Sequence, residues 1–198
     1  MIRFAFAFVL LCLPTLARAD TISCELPWFI RNLMFDRAGY CFSSPLGRAL
    51  FDNSDCTGSD RLSPRDAAAV AQIRALERGM GCHIDTNGWR LEHQDTLAYL
   101  RGVRLLPVPV ADESGCIGYL GPDLPLLAAP AGKGPILGVL PTGADIAFGF
   151  RDEGQWAFVT VFGAGWRQVQ PGLPAGQGRH GWVHFPGGSY PSCRQYAG

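Results

Sequence analysis

Residues 24–41 read CELPWFIRNLMFDRAGYC, and this stretch decides the fold of the first third of the chain. Ile30, Leu33, Met34 and Ala38 recur at i, i+3, i+4 and i+8, the spacing of one apolar helix face. Pro27 suits a first helical turn because it has no amide proton to leave unpaired. The spacing therefore predicts a helix from near Pro27 to Ala38. Gly39 is placed to end that helix in the left-handed conformation. A cysteine stands at either end, Cys24 before it and Cys41 after it.

Further along, Ser44-Pro45 opens a second short helix, Pro45 to Phe51, which would bury Leu46, Leu50 and Phe51. Asn53 to Ser59 is a turn-rich loop. Ser63 caps a third helix beginning at Pro64, with Asp66 three residues on, a variant of the capping box. Ala67, Val70, Ile73, Leu76 and Met80 are its expected buried stripe, and Gly79 and Gly81 close it. If the first and third helices pack antiparallel, Cys24 meets Cys82 at one tip and Cys41 meets Cys56 at the other. Each bridge would contribute ~2–4 kcal/mol. That is large for so small a unit, whose core alone is marginal.

The cysteines also speak of compartment. Residues 1–19 carry Arg3, the apolar run Phe4 to Leu11 and the exit Ala17-Arg18-Ala19, the pattern of a cleaved secretory signal. The apolar run is too short to span a bilayer, which needs ~20 residues. Cys12 lies inside the signal, and six cysteines remain in a mature chain expected from Asp20. An even count in an exported chain reads as three disulfides, with fifteen possible pairings. No C-x-x-C occurs and the gaps match no zinc spacing, so no metal or other cofactor is expected. Arg3 and Arg18 leave with the signal and no acid does, so 15 basic side chains face 17 acidic ones, a net charge of −2. That balance argues against a nucleic-acid partner.

Composition divides the chain. Residues 20–83 hold five Gly, whereas residues 115–198 hold eighteen, a density that favours short strands. Segments at Leu126–Pro130, Ile136–Leu140, Ile146–Phe150, Gln155–Phe162 and His180–Phe185, separated by turns such as Pro141-Thr-Gly143 and Arg151-Asp-Glu-Gly154, predict a small barrel of about five strands. Cys116 and Cys193 stand at its two ends and would pair to close it. The expected fold class is thus α+β multidomain: signal 1–19, a disulfide-stapled helical domain 20–83, a connecting segment 84–114 and a β-barrel domain 115–198. The connecting segment is apolar enough (Trp89, Leu91, Leu97, Tyr99, Leu100) to pack on one of the domains.

Two resemblances follow from these residues. Residues 28–40, WFIRNLMFDRAGY, followed by Cys41-Phe42, Ser-Pro-Leu-Gly, Phe51 and the Leu62-Ser63 helix, resemble the YARHG domain, a small module of exported bacterial proteins. Arg31 and Asn32 match its Arg-Asn, Phe35 stands for the Tyr, Arg37 for the Arg and Gly39 for the Gly. Asp36 replaces its Ala and Ala38 its His, so the motif's acid–base group is missing. The order Ala128-Ala129-Pro130, Leu137 to Leu140, Gly143, Trp156 and Gly181-Trp182-Val183 resembles bacterial SH3-like domains. That resemblance implies ligand binding, with cell-wall peptide or an envelope protein as partner.

Arg31, Asp36 and Arg37 are binding candidates, read either as an ion-paired network fixing the first helix or as an Arg-lined site for a carboxylate or phosphate. Trp166 and Tyr190 lie on loops and are candidates for exposed contacts. His180 and His184 would share a strand face about 13 Å apart, too far for one metal. No G-x-S-x-G or H-E-x-x-H is present, and no catalytic residue is assigned. The expected function is an exported binding or adaptor protein of the periplasm or envelope. The alternatives are an envelope hydrolase with a site at the domain junction, or an inhibitor or immunity-like protein acting through the loop Gly163–Arg179.

Overall fold

The computed structural model describes residues 21–163, 167–168, 179–185 and 191–198. The expected signal, Trp166, Tyr190 and most of the loop Gly163–Arg179 lie outside the described residues.

Helix α1 spans Thr21–Arg37, so Pro27 sits inside it and does not start it. Pro27 has no N–H for the carbonyl one turn back, and tertiary links hold the turns before it. A disulfide joins Cys24 to Cys82, with Cα atoms 5.3 Å apart. The buried Glu25 carboxylate accepts the backbone N–H groups of Glu92 and His93, each at 2.9 Å. Helix α2 is Pro45–Leu50 and helix α3 is Pro64–Gly79. Ser44 Oγ accepts the Gly47 N–H, and Ser63 Oγ accepts the Asp66 N–H while donating to the Asp66 carboxylate at 2.8 Å. Both caps and both N-terminal prolines stand where the sequence puts them.

Helices α1 and α3 are antiparallel. Cys24 faces Cys82, Arg31 faces Glu77 and Phe35 faces Arg74, so partner numbers fall as those of α1 rise. The second nested bridge joins Cys41 to Cys56. The buried face of α3 is Ala69, Val70 and Ile73. Ala67 is exposed, because the first turn of α3 points elsewhere: Arg65 reaches the Leu106 carbonyl at 2.8 Å and the Glu153 carboxylate.

Helix α4 (Gln94–Leu97) and a 3-10 turn (Ala98–Gly102) follow. Leu91, Leu97, Tyr99, Leu100, Val103 and Leu106 join one apolar cluster with Phe29 and Ile30 of α1 and with residues of the sheet. The strands are β1 (Pro109–Tyr119), β2 (Leu124–Leu127), β3 (Ile136–Leu140), β4 (Asp145–Phe150), β5 (Trp156–Phe162), β6 (Arg167–Gln168), β7 (His180–His184) and β8 (Cys193–Ala197). They form one antiparallel sheet ordered β6-β3-β2-β7-β5-β4-β1-β8. Among the described residues the sheet has eight strands where about five were expected, and its order is open, with β6 and β8 at the two ends. The additional strands are β1, which starts ahead of residue 115, and β6 and β8.

Side chains alternate across this sheet with period two. Leu127, Leu137, Phe158 and Trp182 face the helices, while Leu126, Leu140, Val159 and Val183 belong to a second cluster built from the strands and the residues that flank them. Val159 and Val183 are fully buried, and no residue of a described helix belongs to their cluster. Trp182 is fully buried and donates its indole N–H to the Leu105 carbonyl at 2.8 Å, tying the strands to the segment after the 3-10 turn. A third disulfide joins Cys116 of β1 to Cys193 of β8.

Candidate functional site

Trp28, Arg31, Asn32 and Phe35 fall at i, i+3, i+4 and i+7 and so share one face of α1. This face is adjacent to the buried one carrying Ile30, Leu33 and Met34. It forms one wall of a groove of about 420 Å³, whose other walls are Tyr40, Phe42, Ser43 and Ser44, Arg74 of α3, and Thr86. The volume falls within the ~300–1,000 Å³ typical of small-ligand sites.

The far wall is built by the end of α1. Gly39 adopts φ of 89°, its N–H reaches the Asp36 carbonyl at 2.9 Å, and the Tyr40 N–H reaches the Phe35 carbonyl at 3.0 Å. That pair of bonds is a Schellman closure, and it folds the chain back over the helix end. A Cβ at residue 39 would strike Thr57 Oγ1, so the left-handed turn and the close approach both require glycine. Asn53 then holds Phe42 by both backbone groups, at 3.0 and 2.8 Å. Tyr40 packs edge-on against Phe42 at 5.0 Å between centroids, and Phe42 stacks on Phe51 at 4.6 Å. The result is a braced aromatic wall.

The groove's charge is one-signed, for its lining includes two arginines and no acid. Arg31 places Nε 3.1 Å from both oxygens of Glu77. Its terminal Nη1 and Nη2 have no acceptor among the described residues. The Arg74 guanidinium lies 5.8 Å from the centroid of the Phe35 ring and has no carboxylate partner among the described residues.

The three candidates on α1 do not form one site. Arg31 lines the groove. Arg37 turns away from it and donates to four carbonyls: Arg104 at 3.1 Å, Leu100 at 3.4 Å, Arg101 at 3.2 Å and Val103 at 2.8 Å. Burial lowers the pKa of its guanidinium, opposed by the charge of Asp36. Asp36 is half-buried, and desolvation raises its pKa against the pull of Arg101. No histidine is among the charges acting on Asp36. Trp28, Phe35, Tyr40, Phe42, Arg74 and Thr86 were not assigned as site residues from sequence. The adjacent-face spacing of Trp28 and Phe35 around Arg31 was the available signal.

The histidines lie elsewhere. The His180 ring stacks on Tyr99 with centroids 3.6 Å apart, and its Nδ1 is 3.0 Å from Thr160 Oγ1. Burial, with the charge of Arg179 adding to it, lowers its pKa to about 4. His184 Nε2 lies 3.2 Å from Gln155 Oε1. Among the described residues no three His, Cys, Asp or Glu side chains gather as a metal site.

Comparison with known proteins gives two family matches. The YARHG domain matches residues 12–78, and a domain of unknown function, DUF4453, matches residues 81–198. No curated protein and no solved structure matches the chain.

Proposed function

We propose, from the premise that the chain belongs to the DUF4453 family and carries a YARHG domain, that it is an exported binding protein of the periplasm or cell envelope. The groove on its helical part is the ligand site in this reading. Three disulfides, the YARHG domain and the want of any described helix long and apolar enough to cross a membrane fit an extracellular or periplasmic protein. Cleavage after Ala19 would deliver the mature chain from Asp20. YARHG domains are associated with extracellular peptide binding, which supports a peptide or protein ligand.

One observation carries the proposal. The YARHG-motif residues divide their labour: Arg37 and Gly39 fix the backbone, while Arg31, Asn32 and Phe35 line an aromatic groove braced from behind. For the sheet we propose an SH3-like relationship, supported by the order of its segments and by the second apolar cluster on one of its faces. Among the described residues its strand order is open, with β6 and β8 at the two ends, which sets it apart from a closed barrel.

The test is solution NMR of the mature, oxidised protein titrated with soluble peptides released from sacculi and with envelope protein digests. Saturable shifts centred on the Trp28 indole N–H and the Thr86 amide are expected. Shifts confined to the sheet, or none, would defeat the assignment.

A further inference from the structure

We infer that the groove between α1, α3 and Thr86 recognises an acidic peptide segment. An Asp or Glu side chain sits between Arg31 and Arg74, and a neighbouring apolar or aromatic side chain lies against Phe35 and Tyr40. This rests on the reading of the groove as the ligand site and names what that site selects.

The geometry of Arg31 is the first ground. A guanidinium has five N–H donors in a fixed fork. Glu77 takes only the Nε–H and shares it between both oxygens. This contact orients the group without using its outer edge, one of the edges that can pair with a carboxylate in bidentate fashion. The four remaining N–H groups have no acceptor among the described residues. Arg31 is also well packed, with its side chain 17% exposed, so little further ordering is needed on binding.

Charge is the second ground. Glu77 offsets Arg31, and Arg74 leaves the groove with an uncompensated positive charge and no lining acid to repel an anion. Arg74 rests over Phe35, so a carboxylate that meets it also meets a ring face for its neighbour.

The kind of carboxylate follows from what donates. Peptide C-termini are captured in nests of backbone N–H groups, whereas acidic motifs are read by arginine clusters. Here the Tyr40 and Phe42 N–H groups are spent on the Phe35 carbonyl and on Asn53 Oδ1. The charged donors of the groove are the Arg31 and Arg74 guanidinium groups, and a side-chain carboxylate is the match.

The test immobilises the mature, disulfide-intact chain and exposes it to a pooled library of hexapeptides capped at both ends. Bound peptides are sequenced by mass spectrometry. Asp or Glu beside an aromatic or aliphatic residue should be enriched about tenfold over Asn or Gln in the same setting. Arg74→Gln, at an exposed position, should abolish that enrichment. Arg31→Lys keeps the charge but loses the fork and should reduce it. Bound peptides without acidic enrichment would overturn the inference and leave the ligand site standing. A preference for uncapped C-termini over capped acidic peptides would do the same. No bound peptide in any arm would overturn both.

Discussion

Arg31 and Glu77 meet through the Nε of the guanidinium, which lies 3.1 Å from each carboxylate oxygen, while the two terminal nitrogens have no acceptor among the described residues and Arg31 lines the groove. This contact ties α1 to α3 and fixes the orientation of a guanidinium that lines the groove. Glu77→Gln keeps an acceptor but removes the charge. It should lower stability by about 1 kcal/mol, between the values for exposed and buried pairs. The urea midpoint, with the slope unchanged, measures it.

Arg37 should matter more. Its side chain satisfies four carbonyls in the turn that carries Leu100 to Arg104. Arg37→Met preserves the stem and removes every donor, and should cost about 2–3 kcal/mol. Thermal unfolding of the oxidised protein reads the loss. Arg37→Lys, lacking the planar fork, should recover only part of it.

His180 makes stability depend on acid. Its pKa in the fold is lowered to about 4 from an ordinary 6.5. Between these values the unfolded chain takes up a proton that the folded chain refuses. Stability is therefore full above about pH 6.5, falls as pH drops toward 4 and levels off below. The loss is on the order of 3 kcal/mol. His180→Phe keeps a ring against Tyr99 and should flatten this limb of the curve when unfolding free energy is measured from pH 7 to pH 4.

Gly39→Ala should destabilise by about 1–2 kcal/mol from the left-handed backbone alone. Contact with Thr57 adds to that. Thr57→Gly in the same chain should restore the contact part and leave the backbone part. The difference between the two melting curves separates them.

Removing Cys116 and Cys193 together, each to Ala, opens a loop whose ends are 77 positions apart. Chain-entropy arithmetic puts the cost at ~4 kcal/mol. Amide exchange of residues 194–197 should also quicken, because β8 is an edge strand with mostly exposed side chains.

The helical part was legible because its punctuation is local. Ser44-Pro45 and Ser63-Pro64 announce helix starts, Gly39 announces a stop, and the cysteines flank the helices they staple. The start of α1 was not, since Pro27 looks like a first-turn residue and the turns before it depend on Glu25 finding the amides of residues 92 and 93. Strand β1 was missed for a related reason. Its middle is exposed and polar, Ala111 to Ser114, and its register with β4 shifts between Pro109 and Ser114. Strand β8 at the sheet's end shows no alternation either. The groove escaped because its walls come from residues 28–44, 74 and 86, which only the antiparallel packing brings together.

The grip of Arg37 has a bearing on how such chains are assembled over generations. The arginine belongs to the first family match, and the carbonyls it holds belong to the second. A crossover between the two stretches would import an arginine with nothing to clasp, or a turn with four bare oxygens. The two stretches are thus expected to travel as a couple, so that shuffling one half among relatives costs stability unless the turn at residues 100–104 still presents its carbonyls to the arginine.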